Sequence, residues 1–481
     1  MEGINPIIKA DYPVSDAICV EDTYYILSAT MHFMPGGAIL RSYDLVNWEI
    51  AGYVFENLDG TPEQRLCGEK SCYGSGMCSG CLRYHNECFY VIFAEGMTKK
   101  TYLFTAQSVE GPWERHCIEG FYYNPSLFFD DDGRVYMVYG NAEIWLSEML
   151  PDVSGFKDEG LHRLLLKDER EVCLGYEGSH IYKINGQYSL FVSRKFNKKD
   201  EKGTQLCFAA DSLTDEFNVR VELDDEEYYN CSAVQVGSPK QCSAAGAGQE
   251  YEYEPLYASD DFGYETDNGA HARLKRVWQW NHEPDNSLWS ICKEGGLRIR
   301  TGKISINLIH AVNTLTQRMM RPRSAAEVTV KAGGVKEGDY AGICVLQDCY
   351  GMIAVTRELN TYYLVMMTSQ LKDNMKNDIT PDYMPGTVLE KLKLPGDTVR
   401  LRIYADFEDR KETAEFFYES GGSFHRLGGK HKLCFKPDHF AGCRYGLFIY
   451  STKEIGGEAV FRSFSYLYGE DLERIHDSCG R

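Results

Sequence analysis

Residues 22–30 read D-T-Y-Y-I-L-S-A-T, a polar turn that leads into aromatic and aliphatic residues. This pattern predicts an arm of a β-hairpin, because turn residues precede side chains that favour strands. Similar segments recur in the first half of the chain as N-E-C-F-Y-V-I-F-A (86–94), D-G-R-V-Y-M-V-Y-G (132–140) and N-G-Q-Y-S-L-F-V-S (185–193). The stretch is therefore one copy of an internal repeat.

A second element follows each repeated strand and places an aromatic residue after a polar turn. Its copies are S-Y-D-L-V-N-W (42–48), S-V-E-G-P-W (108–113), S-L-T-D-E-F (212–217) and a looser S-E-M-L-P-D-V-S-G-F (147–156). Repeats of roughly 50 residues that consist of short strands are typical of β-propeller blades. We therefore expect an all-β chain with a propeller over residues 1–250, whose blades lie at about 5–55, 70–118, 120–165 and 172–225.

The chain changes character after the fourth predicted blade. Residues 230–249 are small, polar and rich in Gly, Ala and Ser, and hold at most one or two short strands, so a fifth blade is reduced. From Ser259 onward, short strands alternate with turns, which favours a β-sandwich over residues 259–475. Gly456 and Gly457 predict a turn before a final strand.

Composition excludes several classes of partner. The chain has 481 residues and a net charge of −20, so phosphate-bearing nucleic acids and anionic membranes are disfavoured, whereas a neutral sugar is not. No apolar run of membrane-spanning length occurs, and the N-terminus lacks a signal-peptide pattern. With 17 Cys read as reduced thiols, the sequence predicts a cytoplasmic protein. Homo-oligomer formation is left open.

Two clusters raise the question of a metal. Cys67, Cys72, Cys78 and Cys81 end in C-x-x-C, but their spacing matches no common zinc pattern, and buried thiols are the favoured interpretation. The run 130–132, D-D-D, precedes a Gly and predicts a solvated hairpin turn. We expect no cofactor to be required, and a structural calcium ion is left open.

Glu177 is the strongest candidate for chemistry. It lies in L-G-Y-E-G-S-H-I-Y (174–182), where a Gly follows it and a strand leads away. Inner strand ends of a propeller converge on the axis, so carboxylates from several blades can meet there as an acid/base pair for glycoside hydrolysis. A solvated loop Glu is the alternative. Asn124, in Y-Y-N-P-S-L-F-F (122–129), holds the equivalent place in the third blade.

Several motifs together resemble glycoside hydrolase family 43. They are N-P-I-I (5–8), T-M-H-F-M-P-G-G-A-I-L-R-S-Y-D-L-V-N-W-E (30–49), L-R-Y-H-N (82–86), N-P-S-L-F-F-D-D-D-G-R-V-Y (124–136), E-G-S-H-I-Y-K-I-N-G (177–186), R-V-W-Q-W-N-H-E-P-D-N-S-L-W-S (276–290) and N-T-L-T-Q-R (313–318). The last two resemble the C-terminal sandwich of its β-xylosidase-type members. The resemblance implies a five-bladed propeller with a concanavalin-like sandwich. It also implies inverting removal of terminal xylose or arabinofuranose from plant oligosaccharides, as in xylan degradation.

Three pocket positions depart from that family pattern. Val14 stands where such enzymes carry an Asp general base, and Asn124 replaces the carboxylate that tunes the acid. Cys78 falls where an aromatic residue stacks on the sugar, while Glu177 is retained as the proton donor. Loss of a general base costs about 10²–10⁴ in rate.

Two nearby carboxylates are candidates for a relocated base. Asp16 shares a face with Val14 in extended backbone, and Asp11 is the other candidate, although a turn or capping role is the favoured alternative for both. The remaining predicted sugar-binding residues are His32, Phe33, Arg83, Asn124, His180 and Phe440. Three interpretations stay open: a glycosidase, a non-hydrolytic carbohydrate-binding protein that lost its base, and hydrolysis assisted by the substrate.

Overall fold

The computed structural model describes residues 6–169, 175–195, 203–225, 251–264, 272–347, 349–369, 384–434, 439 and 441–473. Its first half holds four separate four-stranded antiparallel sheets, which confirms the four propeller blades. The segment 230–249, to which the reduced fifth blade was assigned, lies outside the described residues.

The blades follow one another along the chain. Blade 1 has β1 (Asp16–Val20), β2 (Thr23–Ser28), β4 (Gly36–Ser42) and β5 (Glu49–Phe55), with β3 (Phe33–Met34) looped out between them. Blade 2 has β6 (Cys81–His85), β7 (Cys88–Glu95), β8 (Lys100–Ala106) and β9 (Glu114–Ile118). Blade 3 has β10 (Ser126–Phe129), β11 (Val135–Asn141), β12 (Glu143–Met149) and β13 (His162–Lys167). Blade 4 has β14 (Tyr176–Ile184), β15 (Gln187–Lys195), β16 (Gly203–Ala210) and β17 (Asn218–Asp225). Each repeated segment forms the second strand of its blade.

The second half is a sandwich of two eight-stranded sheets. The first sheet has the order β26 (Thr387–Lys393), β25 (Thr361–Thr368), β24 (Gly351–Glu358), β23 (Asp339–Leu346), β31 (Arg444–Ser451), β21 (Leu315–Arg318), β18 (Gln279–Asn281) and β3. The second has β19 (Trp289–Ile291), β20 (Leu297–Arg300), β32 (Glu458–Leu467), β22 (Arg323–Lys331), β27 (Thr398–Asp406), β28 (Thr413–Ser420) and β29 (Ser423–Arg426), with β30 (His431–Lys432) beside β28. The turn at 456–457 and the final strand β32 are confirmed.

Blade 1 is buried on both faces because its strands alternate two apolar sets. Leu27 packs with Leu82 of blade 2, whereas the adjacent Ile26 packs with Trp278 of the sandwich in one continuous core. Strand β3 also pairs with β18, so the first blade contributes a strand to the sandwich sheet. The junction between propeller and sandwich is therefore built on blade 1, next to the segment that carries Val14.

Helical structure is minor in the described residues. Three 3₁₀ turns are present, at Asn286–Leu288, Leu308–His310 and Glu408–Arg410. Within the same ranges, no helix has the length and apolar character needed to cross a bilayer.

The predicted solvated turn at residues 130–132 is partly wrong. Asp130 is buried, and its carboxylate accepts hydrogen bonds from Tyr188 Oη at 2.7 Å and Lys183 Nζ at 3.0 Å. Asp132 pairs instead with exposed Arg134. The sequence pattern identified the turn but not the basic and phenolic partners that blade 4 brings to its first residue.

Candidate active site

Glu177 lies at the start of β14, the inner strand of blade 4, and is 5% exposed. The pairing of β14 with β15 is irregular between Glu177 and His180, and Gly178 adopts φ +60° there. A glycine is favoured at such a φ because a Cβ would be strained. This local bulge re-aims the Glu177 carboxylate relative to the regular strand that follows.

Two neutral donors hold the Glu177 carboxylate. Tyr123 Oη donates to Oε1 at 2.9 Å and Asn141 Nδ2 donates to the same oxygen at 3.0 Å. Burial, and then the Glu177 charge, raise the pKa of Tyr123, which keeps its phenol a donor. The Gly175 N–H donates to Asn141 Oδ1 and fixes that amide. Oε2 of Glu177 is consequently the oxygen available to carry a proton.

The sequence analysis missed Tyr123 and Asn141. Tyr123 directly precedes Asn124, and Asn141 ends β11, so position at the inner end of blade 3 was the only available signal. The residue type alone does not show whether a Tyr or an Asn donates a hydrogen bond to Glu177 or only packs within its blade.

Two of the three replaced positions, Val14 and Asn124, share an unusual backbone conformation with Met31. Val14, Met31 and Asn124 have φ of 47°, 52° and 46°. Asn tolerates this left-handed region, but a β-branched Val is a genuine outlier there. Such outliers cluster at functional sites, so the backbone at Val14 is compatible with the predicted base position.

Apolar packing and one hydrogen bond define the surroundings of these positions. Val14 and Cys78 both pack against a core that contains Met31 and Phe33 together with Ala441 of the sandwich. Asn124 Oδ1 accepts a hydrogen bond from Ser79 Oγ at 2.7 Å. The surroundings of Val14 and Cys78 are therefore apolar.

Asp16 is fully buried and ion-paired. Arg83 Nη1 lies 2.7 Å from its Oδ2, and the Leu82 N–H donates to the same oxygen at 2.9 Å. Burial opposes its ionisation, but Arg83, His180 and the Leu82 N–H outweigh burial and lower the pKa of Asp16. A carboxylate held in this way is a poor proton acceptor near neutral pH, which favours a structural role.

Arg83, on β6 of blade 2, contacts residues of the three other blades at the axis. Besides Asp16 of blade 1, it donates from Nε to the Leu127 carbonyl of blade 3 at 3.0 Å, and its Nη2 lies 2.9 Å from His180 Nδ1 of blade 4. Burial is the main cause that lowers the pKa of His180 to about 4, so the imidazole is neutral and accepts from the guanidinium. The predicted residues Asp16, Arg83 and His180 thus come together, but as one axial cluster.

Asp11 lies at the propeller–sandwich junction. Its Oδ2 accepts a hydrogen bond from the Gly442 N–H at 2.6 Å, and its carbonyl accepts one from Arg318 Nε at 2.7 Å. These contacts tie the N-terminal segment to the sandwich, and they favour a structural role for Asp11 as well.

His32 and Phe33 lie inside an aromatic cluster. His32 is buried with its ring centroid 4.3 Å from Phe33, 4.6 Å from Tyr73 and 4.7 Å from His282. Burial, and then His282, lower the pKa of His32 well below its ordinary value, so its ring is neutral. Phe440, the last predicted sugar contact, lies outside the described residues.

One group of metal-ligand side chains comes together in the described ranges. The ligand atoms of Asp16, Cys81 and His180 lie within 4.8 Å of one another. Arg83 already contacts two of them with a positive charge, and burial raises the pKa of the Cys81 thiol to about 12. The positive charge and the protonated thiol both oppose the binding of a metal cation. The cluster 67–81 brings no other Cys into such a group there.

The described structure thus joins a β-propeller, in which the inner strand β14 presents the buried carboxylate of Glu177, to a β-sandwich. Residues 4–222 match the model of glycosyl hydrolases family 43, and residues 266–467 match the β-xylosidase C-terminal concanavalin A-like domain. The chain belongs to glycoside hydrolase family 43, in the group that carries this C-terminal domain.

Individual relatives agree with this assignment. A β-xylosidase of Formosa agariphila is 24% identical, and the match covers 97% of this chain and 90% of that protein. A xylosidase/arabinosidase of Butyrivibrio fibrisolvens is 31% identical over 39% of this chain and 37% of that protein. A structure of a bifunctional GH43-CE protein of Bacteroides eggerthii superposes with a TM-score of 0.81 at 31% identity, covering 97% of this chain and 63% of that one. This chain thus spans less than two thirds of that bifunctional protein.

Proposed function

We propose that this protein is a glycosidase that acts on terminal xylose or arabinofuranose residues of plant oligosaccharides, with Glu177 as the proton donor. The observation that carries the proposal is the environment of Glu177. It is buried, and its two donors among the described residues, Tyr123 and Asn141, are neutral. In the described residues no cation pairs with the Glu177 carboxylate, in contrast to Asp16.

In the proposed reaction, Glu177 Oε2 protonates the glycosidic oxygen as the bond to the anomeric carbon breaks. Both hydrogen bonds go to Oε1, so they fix the rotamer without consuming the acidic oxygen. In an inverting enzyme a second carboxylate deprotonates the water that attacks the opposite face of the sugar. Val14 occupies that position here, and Asp16 and Asp11 are engaged in other contacts.

Water attack therefore proceeds without a protein base, the proton of the attacking water passes to bulk solvent, and turnover is expected to be about 10²–10⁴ lower than with a base. A second candidate function follows from the same lack of a carboxylate at Val14. The apolar packing of Val14 and Cys78 favours a pocket that retains a sugar without cleaving it. A carbohydrate-binding protein that kept the fold is thus the alternative proposal.

Three further features remain proposals. The five-bladed architecture with a reduced fifth blade rests on the sequence of 230–249, cytoplasmic location rests on the cysteine content, and the oligosaccharide partner rests on the family.

Hydrolysis of aryl β-xylosides and aryl α-arabinofuranosides by the wild type and Glu177→Gln separates the two functions. For a glycosidase, Glu177→Gln lowers kcat by about 10²–10⁴, because the proton donor is gone. Glu114→Gln, on exposed β9, is the matched control and keeps the wild-type rate.

Calorimetric titration with xylobiose and arabinobiose completes the test. Binding without turnover in the wild type supports the non-hydrolytic alternative. Equal cleavage by the wild type and Glu177→Gln rules out Glu177 as the donor.

A further inference from the structure

Two buried arginines lie side by side on the first sheet of the sandwich. Arg318 of β21 and Arg444 of β31 are directly opposite each other in the strand register and are 3% and 2% exposed. Their Nη1 atoms donate to the same neutral oxygen, Gln279 Oε1, at 2.5 and 2.9 Å. Like charges in such a cross-strand pair repel, and burial strengthens the repulsion.

The described residues supply no carboxylate partner to either guanidinium. Asp11 is the acidic residue that contacts the pair. Its backbone carbonyl accepts a hydrogen bond from Arg318, whereas its carboxylate accepts one from the Gly442 N–H. The other sheet shows the usual arrangement for paired arginines: Arg400 and Arg402 share the carboxylate of Glu327 at 2.5 and 2.6 Å. A buried charge normally has such a partner.

Unpartnered donors remain at the edges of the arginine pair. The guanidinium faces are covered, since Arg318 stacks on Tyr12 at 4.2 Å and Arg444 on Phe33 at 3.5 Å. In the described structure, Arg318 Nη2, Arg444 Nε and Tyr12 Oη are buried without a hydrogen-bond acceptor. Burial, and then Arg318, lower the pKa of Arg444. The two buried guanidiniums and their unfilled N–H groups favour a further negative charge, while the aromatic rings and the Asp11 carboxylate, which raises the pKa of Arg444, offset part of the positive charge.

We propose that Arg318, Arg444 and Tyr12 bind a small monovalent inorganic anion, chloride under ordinary conditions. The donors are N–H and O–H groups with two positive charges, which selects an anion over a water molecule. The low exposure of both arginines, 2–3%, favours a small ion over a sugar acid or a large oxyanion. The site does not depend on the proposed glycosidase activity.

The bound anion has a structural consequence. Tyr12 belongs to the segment that carries Val14, whereas both arginines belong to the sandwich. Because the anion neutralises the arginine pair, it holds the segment that carries Val14 against the sandwich. Loss of the anion weakens the junction between the two domains.

Thermal unfolding of the full chain at constant ionic strength tests the site, with sodium gluconate replaced stepwise by sodium chloride. We expect a saturable rise in Tm on the order of 2–4 °C, as for a ligand that binds only the folded state. Arg444→Met, which preserves the stem that packs on Phe33, abolishes the chloride dependence. Arg300→Met, an exposed arginine paired with Glu458, keeps it. Equal Tm values in gluconate and chloride, or a chloride effect that persists in Arg444→Met, overturn the proposal.

A second measurement covers the case in which Arg444→Met does not fold. Wild-type crystals grown in bromide are expected to show an anomalous peak within hydrogen-bond reach of Arg318 Nη2 and Arg444 Nε. Density without an anomalous signal at that point identifies water and overturns the anion site.

Discussion

Asp16 and Glu177 are both buried carboxylates on inner strands, yet their surroundings differ in one respect. Asp16 meets the Arg83 guanidinium at 2.7 Å, whereas Glu177 meets only the neutral donors Tyr123 and Asn141 in the described structure. The cation fixes Asp16 in its charged form. The comparison teaches that the charge of the hydrogen-bonding partner, rather than burial, distinguishes the surroundings of these two carboxylates.

The largest expected difference between the two residues is in stability. Asp16→Asn leaves Arg83 buried without its counter-charge, and breaking such a pair costs about 3–5 kcal/mol. Glu177→Gln keeps the shape and loses no ion pair, so its cost is expected to be about 1 kcal/mol or less. Urea unfolding of both variants measures the two free energies. Similar losses would show that Asp16 is not the structural member of the pair.

The pH dependence of stability provides the next contrast. His180 faces Arg83, Asp16 and Tyr182, and its pKa in the folded chain is about 4, below the ordinary 6.5. Protonation therefore favours the unfolded chain as pH falls from about 6.5 to 4, a loss of about 3 kcal/mol. Because the pKa of Asp16 is lowered in the folded chain, the free energy of unfolding falls further at more acidic pH, as the pH drops through that folded-state pKa.

His180→Gln is expected to flatten the loss between pH 6.5 and 4 in urea unfolding at several pH values. His116→Gln, at an exposed position on β9, serves as the control and keeps the wild-type slope. An unchanged slope in His180→Gln would remove His180 from the axial cluster as its titrating member.

A smaller effect is expected from the donors to Glu177. Tyr123→Phe removes one of the two hydrogen bonds to Oε1 and leaves Asn141 in place. A hydrogen bond to a charged or acidic group contributes about 1.5–3 kcal/mol, so we expect kcat to fall about 10- to 150-fold, with KM nearly unchanged. Steady-state kinetics on an aryl xyloside measures both constants. A change confined to KM would place Tyr123 against the sugar instead of the acid.

The strands of the fold were largely predictable from sequence, while the partners in the site were not. Aromatic strands after polar turns located β2, β7, β11 and β15, because the period-2 pattern is local. The partner of Asp16, Arg83, is far away in the chain and reaches Asp16 only when two blades meet at the axis. Sequence spacing suggested that Asp16 shares the face of Val14, but the left-handed backbone at Val14 breaks that alternation.

Glu177 as the acid and Val14 as the replaced base could be proposed from the family pattern, since both lie in contiguous motifs. It could not reveal Tyr123 and Asn141, whose role depends on where blade 3 ends. The buried Asp130 was mistaken for a solvated residue for the same reason: its partners Lys183 and Tyr188 come from the next blade.

The most direct test of the central claim is the rate of aryl xyloside hydrolysis by Val14→Asp combined with Asn124→Asp. Asp tolerates the φ of 47° at position 14, so the variant restores a carboxylate without new backbone strain. We predict a rate at least about 100-fold above wild type, the lower end of the effect of a general base, and loss of that gain when Glu177→Gln is added. A folded variant that is no faster than wild type, or one that keeps its gain without Glu177, would contradict a pocket that retains its acid and lacks its base.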